Sequence, residues 1–154
     1  MCLTLRRVGV QAYGDAAAEL EAARSIYAAR LGASSTLLPA VHTACARNAA
    51  ASGEQRCTDA AYTAALSAAR AAHGAGSYYE AAVLAEWASA MQARSPERER
   101  ALKWALQLAS TSLHKHHPYV EHTAALLSRA RRAAGKQSEA LLLQRHFSLA
   151  ELLG

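Results

Sequence analysis

Cysteine is scarce. Cys2, Cys45 and Cys57 are the only three, an odd number without zinc-type spacing, which implies no disulfide framework and is explained most simply by free thiols in a reducing compartment. Proline (three) and glycine (eight) are also few, which removes the commonest helix breakers. No apolar run approaches the roughly 20 residues of a membrane span, so a soluble chain is expected. Equally absent are a phosphate-cradling glycine loop, G-x-S-x-G, HExxH, CxxC and any nucleophile with an obvious base and orienter. The expectation is no enzyme, no cofactor and no metal. Acidic residues are outnumbered, 12 against 17 Lys and Arg, for a formal charge of +5 that favours acidic partners, protein or nucleic acid.

What the chain does have is alanine and leucine. With 52% hydrophobic residues among 154, something is packed, and the composition predicts an all-α fold in one domain or a short repeat array. The opening "MCLTLRRVGV" has two arginines and no acid, like an organellar leader, but is expected to belong to the fold. A cytoplasmic or cytoskeletal location is expected, an organelle being the alternative.

A repeat runs through the sequence. Gly32, Gly74 and His116 stand 42 residues apart and precede similar punctuation; the turn positions Gly53, Ser95 and Gly135 follow at spacings of 42 and 40, and one step back from Gly53 reaches Gln11. Seven before each turn is a small residue (Thr4, Ala46, Ala88, Ser128), suited to close helix approach, and eight before is an apolar one (Leu3, Cys45, Trp87, Leu127). Cys45 therefore reads as a packing thiol. Nine after the turn stand Leu20, Tyr62, Trp104 and Gln144, the first three expected to wedge between helix pairs. Ser95, Pro96 and Glu97 form a helix start.

The "LG" of Leu31-Gly32, the His117-Pro118 entry, the small residue in the first helix, the glycine turn and Ala140 in the second helix together resemble a tetratricopeptide repeat. The 42-residue period resembles the kinesin light chain type, and "HPYVEHTAALLSRARRAAGKQSEA" matches that pattern without a gap. The resemblance implies a right-handed solenoid of antiparallel helix pairs, about three and a half repeats in one array over 1–154. Its repeats would be a truncated 2–31, then 35–74, 77–115 and 118–153, seven helices in all.

The same resemblance places the first helix of each pair along a concave groove, through positions 13, 10, 9, 6 and 3 before each turn. These include Thr43, Ala85 and Ala125; Ala44, Glu86 and Leu126; Arg47 and Arg129; Gln92, Arg132 and His122. Family asparagines that hold a peptide backbone are replaced at Thr43-Ala44, Ala85-Glu86 and Ala125-Leu126, so the alanine-lined groove suits a helix or bulky segment instead.

"LHKHHPYVEH", residues 113–122, poses a metal site against inter-repeat punctuation. Because Pro118 separates His114, His116 and His117 from His122, punctuation is expected. The functional reading is a non-enzymatic scaffold or adaptor subunit of a larger assembly. Arg129 and Arg132, with Arg47, would attract an acidic partner segment. On the last helix, Ala140, Leu143, Phe147 and Ala150 form the buried stripe. Leu142, Leu149 and Leu153 are left for a partner, or a second copy, to cover. The alternative is a basic RNA-associated subunit of a ribonucleoprotein, from the net charge, "SRARRAAGK" and a Tyr78-Tyr79 stacking platform.

Overall fold

The computed structural model describes residues 2–32 and 34–147, the first ten of them by backbone. Seven helices and no strand occur among the described residues: α1 (Cys2–Leu31), α2 (Leu38–Ser52), α3 (Gln55–His73), α4 (Tyr78–Ala90), α5 (Pro96–Ser112), α6 (Pro118–Ala133) and α7 (Gln137–Phe147). The all-α expectation and the number of helices agree with this. None of these helices is long and apolar enough to cross a membrane. The chain divides into two compact units, Met1–Ala75 and Gly76–Gly154.

In the first unit α1 packs on α2 and α2 on α3. The repeat period marks Gln11 as a turn, yet α1 runs through it as one helix about 45 Å long. The segment has no proline, and a helical glycine such as Gly14 costs only about 1 kcal/mol, so nothing local stops the helix. The chain reverses between α2 and α3 through Gly53, whose φ of 82° places it in the left-handed region and whose N–H donates to Ala50 O at 3.2 Å. A two-residue connection makes the pair antiparallel. Fully buried Ala46 lets the helices close onto Tyr62, Ala65 and Ala69. Asn48 Nδ2 donates to Tyr13 O at 2.9 Å and ties α2 to α1.

In the second unit α4 packs on α5, α5 on α6 and α6 on α7. Ser77 caps α4, accepting from the Glu80 N–H, while the buried Glu80 carboxylate accepts the Gly76 N–H at 2.8 Å. Ser95 caps α5 by accepting from Glu97 and Arg98 N–H, with Pro96 in the first turn, as its sequence signals require. His117 caps α6 and Pro118 begins it. Gly135, at φ 80°, turns the chain into α7. Three members of the small-residue column, Ala46, Ala88 and Ser128, are fully buried, and Ser128 Oγ donates to Ala140 O at 3.4 Å; the side chain of the fourth, Thr4, lies outside the described residues.

Three expectations need correction. Trp104 is no wedge, being 51% exposed, while Leu102 is fully buried. Helix α4 ends at Ala90, only two residues past Ala88, whereas α2 continues to Ser52, six past Ala46. The chain then crosses Met91–Ser95 and α5 turns Leu102, Ala105, Leu106 and Ala109 inward; a residue two beyond Leu102 lies about 200° around the cylinder. For the same reason Gln92 is not on a helix face but in this turn, where its carbonyl accepts the Ser95 N–H at 3.0 Å. Finally, Thr43, Ala85 and Ala125 are buried rather than groove-lining. Each stands three residues before its buried small residue, so both occupy one helix face.

Candidate functional site

The residues expected to meet a partner fall on both units. On the first, Arg47 is exposed on α2. On the second, His122, Arg129 and Arg132 are exposed along α6 with Leu126 half-buried among them, a stripe at helical spacing. Glu86 is half-buried on α4. On α7, Ala140 and Phe147 are buried as expected, Leu143 is half-buried, and Leu142 is 65% exposed beside exposed Leu141. Leu149 and Leu153, with Ala150, lie outside the described residues.

The end of α6 is where charge is sorted. Arg131 Nε approaches Glu99 Oε1 of α5 at 3.4 Å and Glu139 Oε2 of α7 at 3.5 Å, and Lys136 Nζ donates to Glu99 Oε2 at 2.7 Å. Those hydrogen bonds, from Lys136 first and Arg131 next, hold the Glu99 carboxyl below its ordinary range despite the opposing effect of burial. Arg129 and Arg132 take no part, and neither has an ion-pair partner among the described residues. A four-residue run of the sequence, Arg-Ala-Arg-Arg, is thus divided between a structural cation and two arginines with no ion-pair partner among the described residues. Sequence reasoning missed this clamp, since its partners stand 32 and 37 residues away.

The contact of Tyr119 with the Tyr78-Tyr79 pair was also missed. Tyr78 of α4 meets Tyr119 of α6 edge-to-face at 4.8 Å and Tyr79 at 5.5 Å. Burial pushes the Tyr119 phenol up to about 12, with the nearby Tyr78 and Glu86 adding to it. The only sequence signal was its position after His117-Pro118. Tyr78 is engaged edge-on by both neighbours, and Tyr79 is half-exposed.

The histidines act on their own loop. His114 Nδ1 accepts the His116 N–H at 3.3 Å, His117 Nδ1 accepts the Tyr119 N–H at 3.2 Å, and His116 Nδ1 lies 3.4 Å from Glu121 Oε1. Among the described residues, no three His, Cys, Asp or Glu side chains gather in a way that could hold a metal ion.

The first unit also carries a cleft of about 480 Å³ between α1 and the α2–α3 hairpin, lined by Tyr13, Gly14, Cys45, Asn48, Glu54 and Cys57. Burial raises the Cys45 thiol, and hydrogen bonding to Glu54 raises Cys57. Both shifts favour the thiol over the nucleophilic thiolate.

No protein-family model matches this chain. No curated protein is significantly similar to it.

Proposed function

We propose that this protein is a non-enzymatic scaffold or adaptor subunit, built as a right-handed tetratricopeptide-like array that holds protein partners in a larger assembly. The observation that carries the reading is the pair Arg129 and Arg132, exposed on α6 and unpaired among the described residues while Arg131 is bound by Glu99 and Glu139. Unpaired guanidinium groups three residues apart suit an acidic segment, whose carboxylates they can bind bidentately. Leu142, exposed on α7, supports a second, apolar contact with a partner or another copy of the chain. Arg47 on α2 is a further candidate contact.

The test is Arg129→Glu with Arg132→Glu, measured by recovery of native complexes and by binding of a poly-glutamate peptide. Loss of both by tenfold or more at low salt, with the fold retained, supports the scaffold reading. Unchanged binding overturns it. If the pair instead abolishes binding of single-stranded RNA, with a steep dependence on salt and no peptide effect, the ribonucleoprotein reading replaces it.

A further inference from the structure

Helix α1 differs from the other six in that none of its described side chains is buried. Ala16, Leu20, Ala23 and Tyr27 are half-buried and form its packed side. One residue before each of these stand Asp15, Glu19, Ala22 and Ile26, all exposed, with Ile26 at 54%. At about 100° per residue these four fall within about 60° of one another, a single stripe running acid, acid, small, apolar. The charges of α1 are sorted as those of α6 are. Glu21 is bound by Arg24 within the helix, whereas Asp15 and Glu19 have no ion-pair partner among the described residues.

We propose that this stripe of α1 docks antiparallel on the α6 stripe of a second copy of the chain, so that Asp15 and Glu19 meet Arg132 and Arg129. The inference rests on the scaffold reading in using the same arginine pair, and it names the acidic segment that the pair receives. The two registers agree. Along α1 the stripe steps by four, three and four residues from Asp15 to Ile26, about 16 Å. Along α6 it steps by three, three and four from Arg132 back through Arg129 and Leu126 to His122, about 15 Å.

Only the antiparallel direction uses every position. Glu19 falls opposite Arg129, exposed Ala22 leaves room for half-buried Leu126, and Ile26 falls at His122. A parallel arrangement would set Asp15 against His122 and Glu19 against Leu126, leaving both arginines facing Ala22 and Ile26. The remaining cations near the two stripes are already engaged, Arg131 by Glu99 and Glu139 and Arg24 by Glu21. The exposed ion pairs fix partner and direction, while Ile26 and Leu126 supply apolar contact. Each copy carries one acidic and one basic stripe, so copies add beyond a pair unless two such contacts close on each other.

Sedimentation equilibrium of the full chain reads the contact. At about 50 mM salt the average mass should rise with concentration, and at about 500 mM it should fall toward that of one chain. Asp15→Lys with Glu19→Lys, and separately Arg129→Glu with Arg132→Glu, should each weaken self-association about tenfold or more, since like charges then face each other. An equimolar mixture of the two variants should associate again, because acid then meets base in both contacts; circular dichroism checks that each variant is folded. Asp15→Asn with Glu19→Gln serves where the lysine variant folds poorly, and should weaken association about threefold. A wild type that stays at the mass of one chain, an acidic-stripe variant that associates like the wild type, or a mixture that stays monomeric would each overturn the docking. The scaffold reading then stands wherever the arginine variant still loses the poly-glutamate peptide. Association restored in the mixture, with peptide binding unchanged by the arginine variant, upholds the docking and removes the scaffold reading.

Discussion

The α2–α3 hairpin of the first unit and the α4–α5 hairpin of the second bury an alanine at equivalent places, Ala46 and Ala88, and then part company. The first continues its helix six residues further, reverses through left-handed Gly53 and brings Tyr62 inward at 2% exposure. The second has no glycine between Ala90 and Ser95, leaves its helix through extended Met91, and brings Leu102 inward instead of Trp104. The turn, more than the helix sequence, decided which face of the second helix is buried. One left-handed residue fixed a register that the regular repeat spacing alone would have assigned to both hairpins.

The sharpest way to break this comparison is to empty both cores. Tyr62→Ala and Leu102→Ala should each cost about 2–5 kcal/mol in urea unfolding, whereas Trp104→Ala should stay within about 0.5 kcal/mol. A costly Trp104 variant would restore the 42-residue register in α5. Next in size is Gly53→Ala. An added Cβ would meet nothing within 4 Å, so its cost, about 1–2 kcal/mol, would be that of the left-handed backbone alone.

Ser95→Ala tests the other hairpin's own device. Removing the oxygen that accepts from the Glu97 and Arg98 N–H groups should cost about 1 kcal/mol and increase exchange at those two amides. The smallest effect is expected at the clamp between α5, α6 and α7. Because the folded Glu99 carboxyl is held low, its contribution is present above the ordinary glutamate value, about 4.3, and is lost as pH falls below it. Glu99→Gln should therefore flatten the acid limb of the stability profile. Its cost at neutral pH should be under about 1 kcal/mol, since Lys136 is half-exposed.

Much of the helical framework was legible in the residues. Ser95-Pro96 and His117-Pro118 are starts written within three positions, and Gly53 and Gly135 are stops that need a left-handed residue. The column Ala46, Ala88 and Ser128 was legible because close helix contact admits only small side chains. Gln11 misled because a period can mark a turn where no residue enforces one. The candidate face was half legible: the arginines of α6 could be placed on the surface, but which of them a partner could still reach could not.

Helix type, helix ends and the small faces were thus determined by the sequence itself, because caps and side-chain neighbours act across about four residues at most. The inward face of α5, the burial of the Thr43, Ala85 and Ala125 column, the Tyr78–Tyr119 contact and the capture of Arg131 by Glu99 were decided only by tertiary structure. Those depend on how far a turn rotates the next helix, or on carboxylates and rings tens of residues away. No periodicity along a single helix carries that information.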